Sequence, residues 1–291
     1  MNLLSQLIWR QRTRFSRTVI LDGHRIRLPA GHLLDWRRLR HRRFDEPIAE
    51  VAELLRRKYC APTMIDIGAN VGDTAALMVR SPEIAVLCVE GNKEFLPLLR
   101  ENLASISPIS EIEPSYVGTG EETVAGHMHT HHGTATLVEG SGIVQTRSLA
   151  QILEAHPRFE NARLLKIDTD GSDAKIVIAG SDVLSKMKPV AHIEYSPSET
   201  EERERECRAM IERLKYIGYA FFHVFDNFGN HMLRLQDEQT DHLHSLNAYV
   251  RSTRKDLRPS IFYYDICAMT AKDKDISDNL LRHYIEGART V

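Results

Sequence analysis

From residue 45 onward, short apolar runs alternate with segments of helical spacing, and no other feature constrains the fold of this 291-residue chain as tightly. Ile48, Val51, Ala52, Leu55 and Tyr59 recur on one helical face behind Pro47, a residue suited to a first helical turn. The run TMIDIG (63–68) reads as a buried strand, followed by a helix to about residue 80, a strand IAVLCVE (84–90) and a helix over 93–103. A strand near 111–117, a polar histidine-rich stretch, a short helix from Ser148, a strand RLLKID (163–168) and a helix over 173–186 continue the rhythm. PVAHIEY (189–195) leads to a helix over 199–217. Ser198 and Glu201 make its capping box, Cys207, Met210, Ile211, Leu214 and Ile217 its apolar stripe, and Gly218 its stop. Apolar strands separated by helices specify a mainly parallel sheet covered on both faces, a doubly wound α/β domain. YAFFHVF (219–225), the turn DNFGN, HMLRL (231–235) and IFYYDICAM (261–269) add an antiparallel element that closes this sheet.

The hydrophobic share of 42% and charged share of 27% are those of a globular protein, and no run approaches a membrane span of about 18 apolar residues. Collagen, coiled coil, wholesale disorder and integral membrane protein are excluded. The net charge of −2 hides a division: residues 1–58 carry 14 Lys/Arg and 6 Asp/Glu, the remainder 24 and 34. Residues 1–44 read as a basic N-terminal extension or cover with a hairpin around Asp22-Gly23, distinct from a catalytic domain over 45–291. A solvated face and a surface meeting an anionic substrate, nucleic acid or phospholipid headgroup both fit that density of arginine. Cysteines at 60, 88, 207 and 267 have no metal-type spacing, which favours a reducing compartment. The N-terminus lacks the order of a secretory signal, so a cytoplasmic location is expected.

In such a sheet, ligands bind beyond the carboxyl ends of the strands. The first strand ends in MIDIGANVGD (64–73), where Gly68 and Gly72 let the backbone turn tightly and approach a ligand. The second ends in Glu90, placed to accept both hydroxyls of a ribose. The order Gly68-Ala69-Asn70-Val71-Gly72 lacks the spacing of a dinucleotide site, and Asp66 would repel a pyrophosphate. An acid at each of the first two strand ends instead complements S-adenosylmethionine, with its ammonium, sulfonium and ribose.

DIGANVGD, VEGN, TRSLAQIL (146–153), LLKIDTDGSD (164–173) and PVAHIEYSP (189–197) together resemble the FkbM family of S-adenosylmethionine-dependent methyltransferases, over about residues 60–235. The resemblance implies a class I methyltransferase fold: a seven-stranded, mainly parallel sheet with helices on both faces and an antiparallel closing strand. It implies O-methylation of a hydroxyl on a sugar or glycosylated natural-product or cell-surface precursor. It also implies that Asp66, Gly68, Ala69, Asn70, Gly72 and Asp73 hold the methionine and ribose parts of the cofactor, Glu90 the ribose hydroxyls, and Tyr116 and Val117 the adenine, with Asp168 bordering the cofactor. Where the family carries K-I-D-V-E-G-x-E, this chain has Lys166-Ile167-Asp168-Thr169-Asp170-Gly171-Ser172-Asp173, both glutamates shortened to aspartate.

Methyl transfer is an in-line attack in a dry, oriented pocket, and a hydroxyl nucleophile must lose its proton to a base or through a metal. Asp168, Asp170 and Glu194 stand at the ends of adjacent predicted strands. They fit direct use as base and hydroxyl ligands, a Mg²⁺ site, or ordering of the loop after the strand; Asp173, an acid in a first helical turn, fits the last use best. HMHTHHG (127–133) fits a polar loop, a substrate contact or base through His131 or His132, or a metal site. His192 reads as a hydrogen-bonded core histidine, Lys166 as a substrate contact or a carboxylate partner, and Phe221, Phe222 and Phe225 as core. The expected partner is a small-molecule or sugar hydroxyl and not a nucleic acid, and the oligomeric state is open, a dimer included. The rival readings are a methyltransferase-like module that binds without turnover and a dinucleotide-dependent oxidoreductase.

Overall fold

The computed structural model describes residues 14–119, 123–131, 134–197, 200–253 and 261–287. An N-terminal hairpin, β1 (Arg17–Leu21) and β2 (His24–Leu28), turns at Asp22 and Gly23, both at positive φ, as the sequence led us to expect. Helices α1 (Leu34–Arg40) and α2 (Glu46–Lys58) precede β3 (Met64–Ile67), α3 (Asp73–Met78), β4 (Val86–Val89), α4 (Leu96–Ile106), β5 (Glu111–Glu113) and β6 (Tyr116–Val117). Then come β7 (Thr123–His131), β8 (Thr134–Arg147), α5 (Leu149–Ala155), β9 (Leu164–Ile167), α6 (Asp173–Ala179), α7 (Ser181–Met187) and β10 (Val190–Tyr195). The chain continues through α8 (Glu201–Tyr216), β11 (Tyr219–Asp226), β12 (His231–Gln236), α9 (His242–Thr253), β13 (Tyr264–Thr270) and α10 (Lys274–Gly287).

The main sheet runs β12-β11-β13-β10-β9-β3-β4-β5. Its right half, from β10 to β5, is parallel; β13 inserts antiparallel between β10 and β11, and β12 returns along the edge. This is the expected mainly parallel class I sheet, with eight strands in place of seven because β12 adds one edge. Successive strand residues point to opposite faces. Met64, Val86, Leu164 and Val190 join one apolar cluster with α2, α3, α4 and α10, while Ile65, Leu87, Leu165 and Ala191 join another with α5 to α9.

Several local readings change. The 111–117 segment divides at Pro114-Ser115 into β5, in the main sheet, and β6, which pairs with the end of β8 in a smaller sheet. The described part of the histidine-rich stretch, through His131, is extended rather than a loop: β7 and β8 form a long antiparallel pair. Its threonines, valines and Ile143, which favour extended backbone, outweigh its polarity. Gly180 splits 173–186 into two short helices. Ser198 lies outside the described residues, and the helix after it is capped by Thr200, whose side chain accepts from the Arg203 N–H at 3.1 Å.

The basic N-terminal segment is bound into this core. Leu21, Ile26, Leu28 and Leu34 are buried in the cluster that includes Ile48, Val51 and Leu55 of α2. Asn102 of α4 accepts from the Arg27 N–H at 2.8 Å and donates to the carbonyls of Arg27 and of Val71, in the glycine loop. Truncating a fully buried leucine leaves a cavity that the surroundings fill only in part. Leu28→Ala is therefore expected to lower unfolding free energy by about 3 kcal/mol, within a single transition in urea; a separate early transition, with the main one unshifted, would show that the hairpin folds apart from the sheet.

Candidate active site

On the face of the sheet toward α2 and α3, a polar row crosses the hydrophobic interior. Register aligns Cys88, Asp66, Lys166 and His192 across β4, β3, β9 and β10, and continues to Cys267 on β13 and His223 on β11. The Lys166 ammonium lies 3.3 Å from Asp66 Oδ1 and 3.2 Å from Asp168 Oδ2. Of the two expected roles for Lys166, the structure supports the carboxylate partner. Burial opposes the ammonium, but Asp168, Asp66 and Asp73 outweigh it and hold its pKa well above the ordinary lysine value. Burial raises the Asp66 carboxyl despite Lys166. Asp168 ends below its ordinary value, because Lys166 and a hydrogen bond from Glu194 outweigh its burial.

One residue pair further along each strand, the same face reaches the carboxyl edge of the sheet and two cavities open. One, of about 90 Å³, lies over β3 and β4 and is lined by Gly68, Asn70, Val89, Glu90, Phe95, Tyr116, Val117, Val144, Thr146 and the Asp168–Ser172 loop. Glu90 is anchored from below: one oxygen accepts the Asn70 N–H at 2.8 Å and the other the Asn92 N–H at 2.7 Å. Each oxygen has further acceptor capacity, and Glu90 lines the cavity. Burial pushes this carboxyl up to about 7 against those two hydrogen bonds. Gly91 is required here, since a Cβ would stand 2.3 Å from the Tyr116 ring, which packs directly on its backbone. Paired acceptors beside an aromatic ring and apolar side chains match the needs of a nucleoside: hydroxyls for the acid, a flat base for the ring.

The second cavity, of about 200 Å³, opens over β9, β10 and β13 and shares Gly68, Asn70, Asp168 and Asp170 with the first. Gly68 brings the two strand ends together, because a Cβ there would overlap the Asp168 carbonyl at 1.8 Å. Asp168, Asp170 and Glu194 converge as expected, each offering an oxygen within 4.8 Å of the others. Burial and the charges of Asp168 and Asp173 push Glu194 well above its ordinary value, which favours placing the proton of the Glu194–Asp168 pair on Glu194. Asp173 instead orders the loop: its oxygens accept from the Thr169 N–H at 2.7 Å, the Thr169 hydroxyl at 2.9 Å and the Gly171 N–H at 3.0 Å.

Asp73 lines the second cavity, whereas Ala69 is buried and Gly72 packs against Leu99 behind the loop. His132 lies outside the described residues. His192 is buried as expected, yet its Nε2 finds no hydrogen-bond partner among the described residues and its ring lines the cavity. Burial and Lys166 lower its pKa to about 4, leaving a neutral imidazole. Sequence reasoning missed His32, Arg37, Asp45, Tyr263 and Asp265, which complete the lining. Asp265 had a legible signal, an acid inside the apolar run IFYYDICAM at the parity of Cys267; His32 and Arg37 had none.

A family profile described as "Methyltransferase FkbM domain" matches residues 66–221. No curated protein matches the chain. Among solved structures, a methyltransferase FkbM from Methylobacillus flagellatus KT is 16% identical with a TM-score of 0.38 over 55% of this chain, which spans only 39% of that protein. The O-methyltransferase from Bacillus cereus in complex with SAH is 10% identical over 77% of this chain and 80% of its own, with a TM-score of 0.43. Aeropyrum pernix fibrillarin with natively bound S-adenosyl-L-methionine is 12% identical over 72% and 66%, with a TM-score of 0.40.

Removing one member of a buried ion pair costs about 3–5 kcal/mol because the partner charge stays behind. Lys166→Met is therefore expected to destabilise the protein strongly at pH 8. The loss should shrink toward pH 5, because a carboxyl raised by burial binds its proton more tightly in the folded state and so gains stability as pH falls. Urea titrations at the two pH values test this. A pH-independent loss, unrelieved by adding Asp66→Asn, would show that the ammonium is packing rather than charge compensation.

Proposed function

Because this chain belongs to the FkbM methyltransferase family, we propose that it transfers a methyl group from S-adenosylmethionine to a hydroxyl of a sugar or glycosylated precursor. The observation that carries the reading is the meeting of two unlike cavities at Gly68, Asn70, Asp168 and Asp170. In this reading, Glu90 accepts the ribose hydroxyls, Tyr116 and Val117 border the adenine, and Asp66, Asp73 and the loop Gly68–Gly72 surround the amino-acid end. The bound cofactor supplies an electrophilic methyl on a sulfonium. The protein's part is orientation in a pocket closed by the α1–α2 segment, and proton handling at Asp168. Asp168, kept ionised by Lys166, takes the hydroxyl proton, while protonated Glu194 fixes its orientation and Asp170 ligates a neighbouring hydroxyl.

Asp168, Asp170 and Glu194 also make a donor set for Mg²⁺. We favour the metal-free reading because the Lys166 ammonium already supplies a cation 3.2 Å from Asp168. The three buried thiols, Cys88, Cys207 and Cys267, support a reducing, cytoplasmic setting, and among the described residues no helix is long and apolar enough to cross a membrane.

S-adenosylhomocysteine is expected to raise the melting temperature while NAD does not, and Glu90→Ala should weaken that binding about tenfold or more through lost charged hydrogen bonds. Stabilisation by NAD alone would sink the methyltransferase reading. With an acceptor in hand, Asp168→Asn should cut turnover about 100-fold or more, the usual weight of a positioned base, with cofactor affinity nearly unchanged. Turnover should persist in EDTA; loss restored by Mg²⁺ would replace the metal-free mechanism.

A further inference from the structure

The larger cavity carries more acidic groups than the proposed transfer uses. Its lining includes six acids, Asp45, Asp73, Asp168, Asp170, Glu194 and Asp265, against the lining cations Lys166 and Arg37, with Asp45 also 3.7 Å from the Arg38 guanidinium. Lys166 is engaged by Asp66 and Asp168, and Arg37 is exposed at the mouth over the Phe44 ring. Asp265 stands directly opposite Glu194 in the β10–β13 register. Among the described residues it accepts no hydrogen bond and forms no ion pair. A second, independent group in the same cavity is His192, 7% exposed, whose Nε2 has no hydrogen-bond partner among the described residues. Asp265 is half-buried and open to the cavity, whereas a buried imidazole nitrogen left in this state awaits a ligand or water.

We propose that Asp265, with Glu194 and Asp45 beside it, forms an ammonium subsite, and that the acceptor is a polyol bearing a protonated amine, an amino sugar or aminocyclitol. The proposal rests on the methyl-transfer reading and names its substrate class. The cofactor's own ammonium does not serve this subsite. Asp265 lies three strands from β3, about 14 Å at the usual strand spacing, and the amino-acid end of the cofactor is assigned to the β3 loop. Asp265 is also not one of the three acids whose oxygens converge within 4.8 Å. Carboxylate, imidazole and the Tyr263 phenol are instead spread over a cavity of about 200 Å³. Dispersed acceptors of three kinds suit the amine and hydroxyls of a sugar better than one compact metal ion. Burial, Asp168 and Asp45 push the Asp265 carboxyl well above its ordinary value, and an arriving ammonium relieves that repulsion.

The test uses the full chain saturated with S-adenosylhomocysteine, titrated calorimetrically with glucosamine and 2-deoxystreptamine, and with glucose and N-acetylglucosamine as uncharged controls. At least one amine should bind about tenfold or more tighter than the neutral sugars, the weight of one charged hydrogen bond. Asp265→Asn and, separately, Asp45→Asn should remove that preference and leave S-adenosylhomocysteine affinity unchanged, which also reports that each variant is folded. Equal binding of neutral sugars, no binding of either amine, an unchanged preference in both variants, or displacement of the amine by millimolar MgCl₂ would each overturn the subsite. Failure to bind S-adenosylhomocysteine at the outset would instead overturn the methyl-transfer reading beneath it.

Discussion

The Lys166 ammonium, held between Asp66 and Asp168, is the interaction on which the rest of the site depends. It sits in the polar row that crosses an otherwise apolar face of the sheet, where one uncompensated charge would cost several kcal/mol. With Lys166 present, Asp66 can stand at the end of β3 and Asp168 can remain ionised at the end of β9. Burial and the charges of Asp168 and Asp173 raise Glu194, so the pair sets an acid held above its ordinary value beside one held below it. Burial and then the same positive charge lower His192 to about 4, so the floor of the larger cavity presents a neutral imidazole beside a charged carboxylate. One lysine thus acts, beside burial, on the protonation of Asp66, Asp168 and His192.

The roof of that cavity comes from a segment whose charge sets it apart in sequence but whose contacts do not. Hairpin β1–β2 contributes core leucines, and Asn102 ties its backbone to the glycine loop. At the other end, the Arg43 carbonyl lies so close to Gly229 that a Cβ would overlap it at 1.8 Å, and His41 stacks on Phe228 at 3.9 Å. The α1–α2 connection is therefore gripped by the β11–β12 turn, which places His32, Arg37 and Asp45 over the acids of β9, β10 and β13. The parts of the chain outside the family match, among them His32, Arg37, Asp45, Tyr263 and Asp265, are those that enclose the larger cavity.

How much of this was legible follows from what each signal encodes. Central strands were readable because burial on both faces leaves continuous apolar runs, and the acids that interrupt those runs, Asp66, Glu90, Asp168 and Glu194, mark the edge of the sheet where the two cavities open. Partnerships across strands were not readable: Lys166 faces Asp66 only through a register that no local pattern specifies. The β7–β8 pair was misread because histidines and threonines look like a loop by polarity, whereas extended backbone depends on β-branching and pairing. Asp45 and His32 reach the site through tertiary packing alone. Helices α9 and α10 lie beyond the recognisable segments and went unread, although Ile276, Leu280 and Tyr284 of α10 are buried.

The shortened acids of the 166–173 motif show how the two cavities are joined. Asp173 draws the loop inward by accepting from Thr169 and Gly171, and this fold-back puts Asp170 at a positive φ of 50° and leaves Gly171 at 126°, against the Arg203 guanidinium. A longer glutamate at 173 would have to coil to make the same bonds. The loop therefore lies tight against Gly68, and Asp168 and Asp170 border both cavities at once. In the proposed reading this shared edge has an electrostatic consequence. A cationic cofactor on one side of Asp168 favours its ionised form, so the carboxylate stays charged, though a weaker base, just where the acceptor must be held. Glu194, still protonated, then has one partner for its proton, and the geometry of the Asp168 carboxylate is fixed before the hydroxyl arrives.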